Sequence, residues 1–144
     1  MKRLILFGFL VLLFSPFVFA QEEFEGLKVG NGLYVGGRPF ILGNVGDIGA
    51  IIVNIGGIQE TITEKGIDYV NCLPIANKDF YFTELKGDRK AQVNIGDTKN
   101  TNCEYQGLTT EEPFMNVGDT IYIGGREVKL ENVGDTGAII VSVD

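Results

Sequence analysis

The chain has 144 residues, with nineteen acidic and twelve basic side chains, two cysteines and no histidine or tryptophan, for a formal charge of −7. An acidic chain without a basic stripe argues against nucleic acid as a partner, since that binding rests on neutralising phosphates. Lacking histidine, it has no common general base and no familiar serine or cysteine triad, and two cysteines alone cannot complete the usual tetrahedral zinc site.

The first element is a leader. Lys2 and Arg3 precede an apolar run from Leu4 to Phe14, Ser15-Pro16 interrupt it, and Val18 and Ala20 occupy the −3 and −1 positions of a cleavage site. This pattern predicts a helical signal peptide over residues 1–20, cut between Ala20 and Gln21, and a short mature N-terminal segment over 21–25. The run is short for a spanning helix and is broken by proline, so the expectation is a secreted chain with no membrane contact after cleavage. Losing Lys2 and Arg3 makes that chain more acidic, as suits a hydrated surface protein and not a ligand of anionic lipid. In an oxidising compartment Cys72 and Cys103 are expected to form a disulfide, with a stabilisation of about 3–4 kcal/mol from loop closure.

Further along, the chain repeats itself. "VGNGLYVGGRPFILGNVGDIGAIIV" from Val29 aligns without a gap on "VGDTIYIGGREVKLENVGDTGAIIV" from Val117, with sixteen of 25 positions identical. Such self-similarity marks a duplicated structural unit. Each copy reads as three strands. "LYV" and "IYI" lead into Gly36-Gly37 and Gly124-Gly125, pairs suited to two-residue hairpin turns because glycine takes positive φ without a Cβ clash. The next strand points Phe40 and Leu42 inward in the first copy, and Val128 and Leu130 in the last, with Glu127, Lys129 and Glu131 toward water. "NVGD" supplies a turn in which Asn and Asp bond local backbone. "GAIIVNI" and "GAIIVSV" are apolar on both faces and so expected to be covered or central.

Between the two lies a divergent copy, from "DYV" through "KDFYFTEL" and a Gly87-Asp88 turn to "KAQVNIG", with Ala91, Val93 and Ile95 on one face. The expected fold is all-β: tandem hairpin-rich repeats in a β-sandwich or small barrel, with no helix after the leader. We expect one β domain of two units over residues 26–113. A third unit follows over 114–144, the start of a second copy that lacks the return strand "NIGGIQETI" supplies in the first. Three strands of this size rarely bury enough apolar surface alone. The third unit is therefore expected to pack on the first domain, pair with another molecule, or be continued by further sequence. The linkers, including "DTKNTNCEYQGLTTEEP", read as partly strand-like.

Weighed as chemistry, the motifs are quiet. The "NVGD" turns offer calcium candidates at Asp47 and Asp135, but each supplies one carboxylate where calcium takes six to eight oxygens. Gly36-Gly37-Arg38 and Gly124-Gly125-Arg126 do not open a helix as a phosphate cradle does. Paired carboxylates at Glu22-Glu23, Glu111-Glu112 and Asp79 with Glu84 resemble solvated surface more than a glycosidase pair. Tyr34 and Tyr122 are expected to face outward on equivalent strands, a modest platform for sugar. No catalytic residue, cofactor or N-glycosylation sequon is expected.

The signal sequence, the run from Tyr34-Val35-Gly36-Gly37 to Asn44–Val53, and the stretch "DFYFTELKGDRKAQVNIGD" resemble the β-rich repeat modules of archaeal S-layer-type and other secreted cell-surface proteins. That resemblance implies a structural, non-catalytic role in an envelope layer or appendage, with other surface proteins or the chain itself as partners. The edge strand of the third unit is the expected route of self-association. The alternative reading is a soluble extracellular module binding calcium, carbohydrate or a partner protein.

Overall fold

The structure is a computed structural model and describes residues 23–96, 103–107 and 112–144. The leader and residues 21–22 lie outside the described residues, and so do most of the positions on either side of Cys103. Among the described residues no helix is long and apolar enough to cross a membrane. The described residues are all-β apart from one short 3-10 turn at Lys86–Asp88.

Among the described residues eleven strands run in order: β1 Leu27–Lys28, β2 Gly32–Val35, β3 Arg38–Val45, β4 Ile51–Ile55, β5 Ile58–Ile62, β6 Ile67–Val70, β7 Leu73–Tyr81, β8 Lys90–Ile95, β9 Thr120–Ile123, β10 Arg126–Val133 and β11 Ile139–Val143. They form two sheets. A four-stranded sheet has the order β2-β3-β4-β5, and a seven-stranded sheet has the order β11-β10-β9-β8-β7-β6, with β1 also pairing β8. One core joins them: Phe40, Leu42, Val45, Ile51, Val53 and Ile55 from the first sheet meet Val70, Leu73, Ile75, Ala91, Val93, Ile95 and Ile121 from the second. This is a sandwich of hairpin-linked antiparallel strands.

Three units with a common register are visible in the pairing. The first hairpin of each unit turns on two residues, at Gly36-Gly37, Asn71-Cys72 and Gly124-Gly125, all with positive φ. Each is followed by a strand with a β-bulge four residues in, between Leu42 and Asn44, between Asn77 and Asp79, and between Leu130 and Asn132. The middle unit is thus built like the outer two, although its turn carries side chains. Asn71 and Cys72 sit at φ 44° and 73°, a conformation that asparagine tolerates better than most residues.

Their side chains explain that choice. Cys72 is disulfide-bonded to Cys103, with Cα atoms 5.5 Å apart. The Asn71 amide donates to the Ile55 and Gln106 carbonyls at 2.8 Å each, and its oxygen accepts from the Gln106 N–H at 2.9 Å. This ties residues 103–107 across the end of the sandwich, where the Arg38 guanidinium lies 5.0 Å from the Tyr105 ring centre. Residues 103–107 form no strand, so the described part of that linker is held by side chains and not by a ladder.

Two further expectations change in detail. The strand of the middle unit starts at Leu73, ahead of "KDFYFTEL", and ends at Tyr81. In "NVGD", Asn44 and Val45 belong to β3; the turn proper is closed by backbone, with the Gly46 N–H donating to the Ala50 carbonyl at 2.7 Å. The asparagine does not cap its own turn. Its oxygen instead accepts from Arg89 at 3.0 Å.

The disulfide closes a loop of sequence separation 31. Replacing both partners (Cys72→Ser with Cys103→Ser) is expected to lower unfolding free energy by about 3 kcal/mol, read by urea denaturation. An unchanged midpoint and slope would show that residues 103–107 are held without the bond.

Candidate interaction surface

The outer units contact each other through equivalent residues. Asn31 Nδ2 donates to the Asp119 carboxylate, and these two positions are separated by 88 residues, the repeat offset. Around them the backbone bonds come in reciprocal form. The Gly32 N–H donates to the Phe114 carbonyl at 2.7 Å, and the Thr120 N–H donates to the Gly26 carbonyl at 3.3 Å. Gly32 and Thr120 are equivalent, as are Gly26 and Phe114. A contact in which i meets j and j meets i is isologous, and requires a local two-fold relation between the copies. Units one and three therefore form an internal pseudo-dimer.

The difference between the two side chains that meet on the axis has a physical reason. Two aspartates meeting on the axis would place like charges in a buried contact. Here the first copy has Asn31 and the third has Asp119, both buried. The carboxylate also accepts from the Asn116 N–H at 2.7 Å and the Lys28 N–H at 3.4 Å. Sequence reading passed over this pair because it followed identities between the copies, whereas the axis is marked by a difference.

Unit three is further joined by parallel pairing of β9 on β8, with Asn94 opposite Tyr122 and Ile95 opposite Ile123. Ile121 is fully buried in the common core, and Met115, Ile123 and Val128 pack against it. Ion pairs at the N-terminal segment add a surface tie: Lys129 Nζ to Glu25 at 3.3 Å, and Lys90 Nζ to Glu23 at 3.0 Å. The hydrogen bond from Lys90 holds the Glu23 carboxyl below its usual range, and the bond to Glu25 raises Lys129. In each pair the lysine is largely covered but the carboxylate is open to solvent, and such solvent-screened pairs contribute little to stability.

Beyond this joint the copies diverge sharply in burial. In unit one, Val45, Ile51, Val53 and Ile55 are 0% exposed; their equivalents Val133, Ile139, Val141 and Val143 are 48%, 64%, 40% and 58% exposed. The difference lies in the cover. Unit two lays β6, β7 and β8 over unit one and inserts specific groups. The Phe80 ring sits so close to Gly49 that a Cβ there would lie 2.4 Å from it. The Asn77 amide donates to the Gly49 carbonyl at 2.8 Å, and Arg89 donates to Asn44 Oδ1 at 3.0 Å and to the Val45 carbonyl at 3.1 Å. At Gly137, which replaces Gly49 in the third copy, a Cβ would meet nothing within 4 Å. Expected to be covered or central, "GAIIVSV" instead forms β11 at the edge of the seven-stranded sheet, with no neighbour beyond it among the described residues.

The other sequence candidates do not converge. Asp47 and Asp135 are both exposed in turns, and among the described residues no group of three or more His, Cys, Asp or Glu side chains could hold a metal ion. Gly36, Gly37, Gly124 and Gly125 make the expected hairpin turns, with φ between 57° and 82°. Tyr34 is exposed on β2, but Tyr122 is partly covered and donates to Glu127 at 2.9 Å, a bond that raises its pKa. The two tyrosines thus form no matched outward pair. Of the carboxylate pairs, Glu22 and Glu111 lie outside the described residues. Compared with family models, curated proteins and solved structures, the chain matches none of them.

Two contrasts test this geometry. Asn31→Asp faces a second carboxylate with Asp119 and is expected to cost about 2–4 kcal/mol at neutral pH. One carboxyl then takes a raised pKa, so the loss should shrink as the pH falls through it. Asp119→Asn brings in no second carboxylate, but it replaces one of two accepting oxygens with an amide donor facing the Lys28 or Asn116 N–H, and should cost about 1–3 kcal/mol. Equal, pH-independent losses would contradict the axis. Separately, Gly137→Ala should cost about 1–2 kcal/mol, for backbone strain alone, while Gly49→Ala adds a clash with Phe80 and should cost about 2 kcal/mol more. Thermal melts of the two variants measure the gap.

Proposed function

We propose that the protein is an exported, non-catalytic structural module of the cell surface, acting through protein–protein contacts in an envelope layer or appendage. The observation that carries this reading is one strand sequence in two environments. "GAIIV" is sealed in the core as β4 and stands open as β11, and contiguous apolar surface of that kind marks an interaction site. The pattern of the first twenty residues supports export, and the Cys72–Cys103 disulfide suits an oxidising compartment. The resemblance to S-layer-type repeat modules points to the same setting. No cofactor enters this reading, and its partners are other surface proteins.

Sheet edges favour contact over exposure. β5 and β6 also lie at edges, and they carry Glu60 and Asp68, the kind of charge that discourages pairing with strangers. β11 reads Ile-Ile-Val-Ser-Val, with no charge before Asp144. The fourth edge, β2, reads Gly-Leu-Tyr-Val and is likewise without charge, and β11 is the longer of these two bare edges; edges of this kind invite pairing with another chain.

Fractionation of the cells that make the protein, with intact-mass measurement, tests the proposal. The expected product begins at Gln21, carries one disulfide and is recovered with the envelope as part of a larger assembly. A chain that keeps its leader and stays as a free monomer inside the cell would refute it.

A further inference from the structure

The chain shows, in its own first two units, what covers this kind of surface. Unit one is a socket: Asn44, Val45, Gly49 and the row Ile51, Val53 and Ile55. Residues 57–96 form the plug. The plug adds β5 to the edge of β4, lays β6 to β8 across its face, and fastens itself with Phe80 at Gly49, Asn77 on the Gly49 carbonyl and Arg89 on Asn44. Unit three repeats the socket position for position as Asn132, Val133, Gly137, Ile139, Val141 and Val143, with no plug in place among the described residues.

We infer that unit three is an open socket for a second plug: a β-meander with an antiparallel edge strand, an aliphatic inner face, and Phe, Asn and Arg placed as in residues 57–96. The inference rests on the reading that the protein works through surface contacts, and names the partner. Stoichiometry removes the chain's own plug as the occupant. Among the described residues there are two sockets and one plug, so exchanging that plug between copies still leaves one socket open.

The pseudo-two-fold fixes how the second plug sits. The first plug's last strand, β8, runs parallel to β9, and the Gly124 N–H donates to the Ile95 carbonyl at 2.7 Å. Under the two-fold, β9 maps to β2, which is the outer strand of its sheet. The second plug would therefore grip two places at once, adding strands antiparallel to β11 and parallel to β2, with the Gly36 N–H taking the role of Gly124. Binding by strand addition gains backbone hydrogen bonds from the edge and specificity from alternate side-chain pockets.

The test appends residues 57–96 to the full chain after Asp144, the position equivalent to Gly56, and follows amide hydrogen exchange. The appended strand should slow exchange of Ile139–Val143 by about 100-fold or more and protect the Gly36 amide. Phe80→Ala or Arg89→Ala, made only in the appended copy, should remove most of that gain while Ile51–Ile55 stay protected as before. A synthetic Gly57–Ile62 strand added to the unmodified chain should give a smaller, dose-dependent slowing at the same amides. Unchanged exchange in both arms overturns the inference. So does protection of the unmodified chain that rises with its own concentration, since a second copy would then cover the face. Neither result bears on export, which the fractionation decides separately.

Discussion

A hairpin unit with one apolar face cannot bury that face against itself. Everything in this fold follows from that constraint. In unit one the face is met by the inner side of β6, β7 and β8, and the largest fully buried side chains, among them Phe40, Leu42, Ile55, Ile75 and Ile95, are those on either side of this contact. At roughly 1.5–3 kcal/mol for each large aliphatic or aromatic side chain fully buried, this is the dominant favourable term. The polar links at Gly49 and Asn44 orient the two layers within it. Arg89 shows the economy of that arrangement, bonding Asn44 and the carbonyls of Val45 and Thr83 while its guanidinium lies 4.3 Å from the centre of the Phe82 ring.

The same constraint explains why unit three is only partly finished. Its first two strands share the common core through Ile121 and Val128 and are fixed to unit one by the reciprocal bonds around Asn31 and Asp119. Its third strand reaches past that core. The pseudo-dimer supplies attachment without supplying cover, because the two-fold brings the starts of the units together and leaves their closing strands apart. An attached but uncovered strand is the physical basis for reading the molecule as one that acts by contact.

Much of the architecture was legible in the sequence because its determinants are local. Period-2 alternation in β3, β8 and β10, positive-φ glycines at the turns, and the near-identical copies all act within a few residues. The disulfide was legible from compartment and cysteine count. What was not legible depends on neighbours distant in the chain. "GAIIVNI" and "GAIIVSV" are nearly the same string, and no local rule assigns one to the core and the other to an edge; only the placement of unit two does. The two-fold axis was hidden for a related reason, since Asn31 and Asp119 differ and each reads as an ordinary turn residue. Asn44 was misplaced as a turn former because its partner, Arg89, lies 45 residues away.

The central claim, that two nearly identical strands are set apart by their cover, is tested most directly by thiol labelling of Val53→Cys and Val141→Cys in the purified mature chain, with the native disulfide verified by mass. The account predicts that the thiol at 141 reacts at close to the rate of an exposed cysteine, while that at 53 is slowed by about 1,000-fold because reaction must wait for opening of the core. Equal, slow labelling at both positions in a monomeric chain would contradict it.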